Sequence, residues 1–162
     1  MSLEAMLRWL QATPIAVTIA ENDVLFPCIE SLHVLAITLV VGSIFIVDLR
    51  LLGLASRERA ADRLMHEVLP LTWGAFALAA TTGVLMFAAK ATTYGHNRLF
   101  LTKLTLLALA GLNAATFHFV TGRRIESWTT PTPLAARVAG GVSLTLWAGV
   151  VTCGRWVGFT LR

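Results

Sequence analysis

Four long uncharged runs, Ser31–Val47, Val68–Ala89, Leu104–Gly122 and Val138–Gly154, limit what this chain can fold into. Each is about the length a helix needs to cross a hydrocarbon core of roughly 30 Å. The first extends back to Val24 if Glu30 is accommodated. A soluble helix of that length would carry a polar stripe, and these runs carry none. The expected fold is all-α, an integral membrane four-transmembrane-helix bundle.

Composition closes off the other classes. Mean hydropathy is +0.73, with 56% hydrophobic and 14% charged residues, far from the mixture of a soluble domain. Four spans consume most of the 162 residues, so residues 21–162 read as one transmembrane domain with no room for a soluble catalytic one. There is no nucleotide-binding loop and no nucleophile–base arrangement. The net charge of +4 lies in short loops and helix ends, where it reflects membrane topology and a lipid bilayer partner; no nucleic acid is implied.

Residues 1–20 contain an apolar run around Pro14–Ala20 but lack the basic region followed by a clean apolar region and the small-residue cleavage site of a signal peptide. Leu3, Met6, Leu7 and Leu10 recur at helical spacing, with Glu4, Arg8 and Gln11 on other faces. That pattern predicts a retained interfacial amphipathic helix, anchored by Trp9.

Let side A be the face where the first span begins and side B the opposite face. Side B carries Arg50, Arg57, Arg59, Arg63, Arg123, Arg124 and Arg137 in short connections. The positive-inside bias therefore puts side B in the cytoplasm and the termini outside. Pro27 and Pro70 suit the first turns of spans one and two, where a missing N–H costs little. Gly53 follows span one, Gly95–His96–Asn97 forms a turn, and Thr129–Pro131–Pro133 forms a stiff loop. Ala55–Leu64 reads as a charged helical extension on side B.

Ionisable groups in hydrocarbon need partners or tasks. Glu30, Lys103 and Arg155 fall at similar depth below side A, so Glu30 is expected to pair with Lys103 or Arg155. With His33 they form a buried polar cluster, either a bridge that fixes helix register or the rim of a cofactor site. Asp48, at the other end of span one, is placed to pair with Arg123 or Arg124. Cys28 and Cys153 lie at one depth on spans one and four. They read as small buried hydrophobes, as a disulfide or, with His33, as a copper(I) site.

The four histidines are the sharpest chemical signal. Haem ligation by two imidazoles requires both at one depth across a bundle. His66 with His118 near side B meets that condition, and His33 with His96 meets it if the side A loop dips inward. Interfacial hydrogen bonding is the plainer role for each. Trp73 and Trp147 fall within spans, where they are expected to fill the core. Gly42, Gly74, Gly83, Gly111, Gly140 and Gly149 are among the small residues that permit close helix approach.

These residues carry a resemblance. Leu25–Phe26–Pro27, Glu30, His33, Gly42 and Asp48–Leu49–Arg50–Leu51–Leu52–Gly53 resemble the first span of the uncharacterised bacterial membrane family DUF6644. Tyr94, Asn97, Phe100, Lys103 and Asn113 through His118 resemble its third span. Ser143, Trp147 and Gly154–Arg155–Trp156–Val157–Gly158–Phe159 resemble its C-terminal signature. The resemblance implies a bacterial inner-membrane protein and assigns no activity. A looser architectural similarity to copper-resistance D-type and small b-type cytochrome membrane proteins implies haem or copper.

The expectation is a b-type cytochrome for membrane electron transfer. It would use haem b held by His33, His66, His96 or His118, with Lys103 and Arg155 beside the propionates, and a redox protein or quinone as partner. Self-association into a homo-oligomer is expected of so small a bundle. The alternatives are a copper or proton transport component using Cys28, Cys153, His33 and Glu30, and an accessory subunit without chemistry.

Overall fold

A computed structural model of the chain describes residues 2–55, 61–121 and 132–160. The described residues are helical throughout, without strands. Two short helices, α1 (Leu3–Gln11) and α2 (Pro14–Glu21), precede the first span, α3 (Leu25–Leu52). Then follow α4 (Ala61–Ala89), the single turn α5 (Ala91–Gly95), α6 (Arg98–Thr116) and α7 (Leu134–Thr160). Four of these helices, α3, α4, α6 continued to Val120, and α7, are long and apolar enough to cross a membrane. At most 22% of any best apolar window is buried within the protein. The remainder can be kept from water only by lipid, so the chain is a multi-pass membrane protein.

Local sequence sets the helix ends. Pro27 lies in the first turn of α3, as its missing N–H requires. Gly53 closes α3 in the left-handed region at φ 75°. Its N–H bonds the Arg50 carbonyl at 3.1 Å and the Leu54 N–H bonds that of Leu49 at 2.9 Å, a Schellman closure that favours glycine. Asn97 caps α6, its side-chain oxygen accepting from the Phe100 N–H at 3.0 Å. Beyond Thr116 the helix widens into a π-turn over Phe117–Thr121.

Pro70 is not in a first turn. The charged segment continues the helix on side B, so α4 begins at Ala61 and Pro70 is internal to it. The N-terminal amphipathic segment is two helices, because Pro14 starts a second at its favoured position. Arg57, Arg59, Arg123, Arg124, Thr129 and Pro131 lie outside the described residues, and with them the expected pairing of Asp48.

The spans pack in the order α4, α3, α7, α6, each on the next, whereas α4 and α6 make no comparable backbone packing among the described residues. The bundle is thus a four-helix arrangement loosened along one edge. Hydrogen bonds cross helix seams directly. The Asn113 amide donates to the Ala139 carbonyl at 3.0 Å between α6 and α7, and His33 bonds Thr82 between α3 and α4. On side B, Leu51, Phe117 and Ala136 form a buried cluster with Val47, Met65 and Ala139 against it.

Only some glycines serve packing. A Cβ on Gly140 would sit 3.2 Å from both the Asp48 carbonyl oxygen and the Leu51 Cβ, so the α3–α7 seam depends on its absence. Gly42, Gly74 and Gly111 would meet nothing within 4 Å and face the lipid. Trp73 also faces outward, 64% exposed and edge-on to Phe76, because an indole is as well accommodated by acyl chains as by a helix seam. Gly140→Leu should lower unfolding stability in detergent by about 1–3 kcal/mol, as overpacked cores do. Gly111→Leu should stay within about 0.5 kcal/mol of the parent. Equal loss in both variants would contradict this packing.

Candidate functional site

The hydrocarbon environment makes each inward polar side chain identifiable, and those near side A converge. His33 lies eight residues into α3, Thr82 seven before the end of α4, Lys103 five into α6 and Cys153 seven before the end of α7. At 1.5 Å per residue all four sit about 8–12 Å below their side A helix ends. Each span therefore contributes one polar or sulfur-bearing group to the same level.

His33 is half-buried against α4. Its Nδ1 is 2.9 Å from the Thr82 hydroxyl, and its ring occupies the notch left by Gly83, with Cε1 3.0 Å from where a Cβ would stand. Thr82 fixes the tautomer. A hydroxyl has one proton, and that of Thr82 faces the Leu78 carbonyl at 2.7 Å and the Ala79 carbonyl at 3.2 Å. Both carbonyls only accept, so toward His33 the hydroxyl is an acceptor and Nδ1 carries the hydrogen. The neutral ring then presents a bare lone pair at Nε2.

Lys103 reaches inward from α6 across Gly154, where its Nζ lies 3.5 Å from the position of a Cβ. Lys103 is half-buried, at the level of His33 and Cys153. Among the described residues, no carboxylate lies within 4 Å of it. Lys103 thus brings a basic side chain into the bundle at the level of the His33 imidazole.

The expected pairing with Glu30 does not form. Glu30 is exposed on α3 and its charge acts on Tyr94, because its position on the helix turns it toward α5 rather than α6. Burial first, and then the Glu30 carboxylate, hold the Tyr94 phenol above its usual range. Arg155 is likewise exposed, with its guanidinium 4.8 Å from the Phe159 ring centre. Above the site on side A, three rings join the loose edge of the bundle. Phe87 of α4 and Phe100 of α6 stack at 5.5 Å, and Tyr94 lies 5.2 Å from Phe100.

The other histidines lie elsewhere. His66 and His118 are both exposed, and the His118 ring contacts Phe119. His96 is held outside the membrane-spanning helices, its Nδ1 2.8 Å from the Thr92 carbonyl and its Nε2 3.3 Å from Glu4. Cys28 is exposed rather than buried, Cys153 is half-buried, and both are free thiols. The described residues contain no group of three or more His, Cys, Asp or Glu side chains able to hold a metal ion. Asp48 is 5% exposed, accepts a hydrogen bond from Ser143, and leaves Oδ2 without a partner among the described residues.

Sequence reasoning placed Lys103 and His33 in one polar cluster and Gly83 among the glycines of close approach, but missed Thr82. A threonine in a run that holds several carries no signal until the facing helix is known. Tyr94 is the single tyrosine of the chain, so its ionisation can be followed alone near 295 nm. Its midpoint should lie above that of free tyrosine and move down in Glu30→Gln, since removing a nearby negative charge favours the phenolate. An unmoved midpoint would show that Glu30 and Tyr94 are apart.

The DUF6644 family, described as a family of unknown function, matches residues 16–160. No curated protein and no solved structure matches the chain. A match over that span shows the family: the chain belongs to DUF6644.

Proposed function

We propose that this protein binds the oxygen-bearing head group of a lipid-soluble molecule within the side A half of its bundle. The observation that carries the proposal is the half-buried Lys103 side chain, without a carboxylate partner among the described residues, at the level of the anchored imidazole of His33. A charge in hydrocarbon is costly and marks a site of use. The loose edge between α4 and α6 supports entry from the bilayer. In this proposal the protein resides in the bacterial inner membrane with side A periplasmic, in keeping with the arginine-rich side B connections.

A b-type cytochrome is the second reading, and one feature favours it. Metal-ligating imidazoles are oriented by a hydrogen bond from the other nitrogen, and Thr82 holds His33 in that way. His33 would then supply one iron ligand, and the haem would supply one-electron chemistry. The dispersion of His66, His96 and His118 leaves His33 as the single inward imidazole among the four.

Two measurements separate these functions. Native mass spectrometry of the protein extracted in mild detergent should show a bound lipid-soluble molecule, retained in Arg155→Met. In Lys103→Met the bound fraction should fall roughly tenfold or more, the scale of one charge-assisted hydrogen bond. Absence of a bound species from the parent, or indifference to Lys103→Met, would overturn the head-group proposal. A visible spectrum of protein from haem-supplied cells decides the cytochrome: resolved α and β bands on dithionite reduction establish it, and a colourless protein eliminates it.

A further inference from the structure

The seam between α3 and α7 carries a groove apart from the site described above. Toward side B the two helices touch at Gly140, where a Cβ would stand 3.2 Å from the Asp48 carbonyl oxygen. One turn nearer side A, a groove of about 690 Å³ opens between them, with Ile44 and Phe45 on one wall and Leu144, Trp147 and Val151 on the other. That volume lies in the range of about 300–1,000 Å³ usual for small-molecule sites. Phe45, Ala148 and Val151 are exposed, so the groove opens to the acyl chains. Its hydroxyls are spent on their own helix, Thr145 donating to the Gly141 carbonyl at 2.9 Å and Thr152 to the Ala148 carbonyl at 2.8 Å. The walls therefore offer a hydrocarbon chain contact and offer a polar head group nothing.

A cation stands at the side A end of this groove. Arg155 follows Thr152 by three residues and Val151 by four, so it shares their face of α7. From Leu144 to Arg155 the helix measures about 16 Å, against about 15 Å for one leaflet of a hydrocarbon core of roughly 30 Å. Arg155 is exposed, and among the described residues no carboxylate lies within 4 Å of it. Its guanidinium rests 4.8 Å from the Phe159 ring centre. The neighbouring Trp156 is exposed, as suits an indole at the membrane surface. An arginine this near a helix end extends its head to the interface. There the planar guanidinium matches the oxygens of a phosphate in two parallel bonds.

We propose that this face binds one anionic phospholipid of the side A leaflet, its phosphate on Arg155 and an acyl chain in the α3–α7 groove. Charge selects the lipid class. A zwitterionic lipid brings its own cation to the guanidinium, whereas a lipid of net negative charge leaves the pairing uncontested. The site is independent of the head-group proposal above, because Lys103 reaches α7 from α6 and the groove lies between α7 and α3.

The test titrates the whole protein in mild detergent with phosphatidylglycerol and phosphatidylcholine of identical chains, read by native mass spectrometry. One phosphatidylglycerol should bind roughly tenfold more tightly than phosphatidylcholine, the scale of one charge-assisted hydrogen bond. Arg155→Met should bring the two lipids to the same affinity. Ala148→Trp, which fills the groove from an exposed position, should weaken both. Leu112→Trp, exposed on α6, should change neither. The comparison of the two lipids in the parent needs no variant to fold, and equal binding there overturns the Arg155 contact and the proposal with it. Phosphatidylglycerol binding untouched by Ala148→Trp removes the chain from the groove and overturns it as well. So does competition by inorganic phosphate at an equal concentration, which would show that the chain contributes nothing. A parent dimer separated by Ala148→Trp makes a second copy the occupant in place of the lipid. Phosphatidylglycerol lost in Lys103→Met and retained in Arg155→Met assigns the lipid to the Lys103 level, which overturns this site and leaves the head-group proposal standing.

Discussion

The hydrogen bond between His33 and Thr82 organises the side A half of the bundle. An imidazole cannot lie in hydrocarbon without a partner, and α4 supplies one at 2.9 Å. Several features follow from that contact. Gly83 must lack a side chain for the ring to approach. The threonine must spend its proton on its own helix, as threonines in spans commonly do. With Nδ1 thereby the donor, the chemistry of the ring turns outward from α4 through Nε2, toward the level at which Lys103 arrives from α6.

The scarcity of polar groups makes their arrangement consequential. In water a half-buried lysine would be one of many; here it lies in a bundle whose outer surfaces meet lipid. Packing explains the placement on both sides of the site. Gly154 gives the Lys103 chain its path along α7 just as Gly83 gives His33 its seat on α4. Two glycines on two helices thus seat Lys103 and His33 at one level of a bundle whose α4–α6 edge is loose.

Much of this was legible in the sequence, and the failures have physical causes. Run length and the missing polar stripes define four spans, because bilayer thickness leaves a helix few alternatives. Depth was legible too, since residues count off along each span, which is why His33 and Lys103 were expected at one level. Azimuth was not legible. Spans with no polar stripe do not reveal which face is inward, so Glu30 seemed a partner for Lys103 when it turns toward Tyr94. For the same reason Trp73 seemed internal, and Gly42 and Gly111 seemed equivalent to Gly140. The start of α4 was misplaced for a different reason: hydropathy marks where lipid begins, and this helix begins earlier, carrying Pro70 within it.

The N-terminal helices have a mechanical consequence. Gln11 of α1 accepts from both the backbone N–H and the hydroxyl of Thr92 at 3.1 and 2.8 Å, and Leu7 fills the space over Gly95. This clamp fastens α1 to the connection between the second and third spans. Leu3, Met6 and Trp9 remain exposed on α1, the kind of surface that settles among lipid head groups. A helix so fastened acts as an outrigger: rocking the bundle means lifting those side chains from the interface or pressing them deeper. The tilt of the spans, and with it the level at which the loose edge meets the acyl chains, is then tied to the membrane surface.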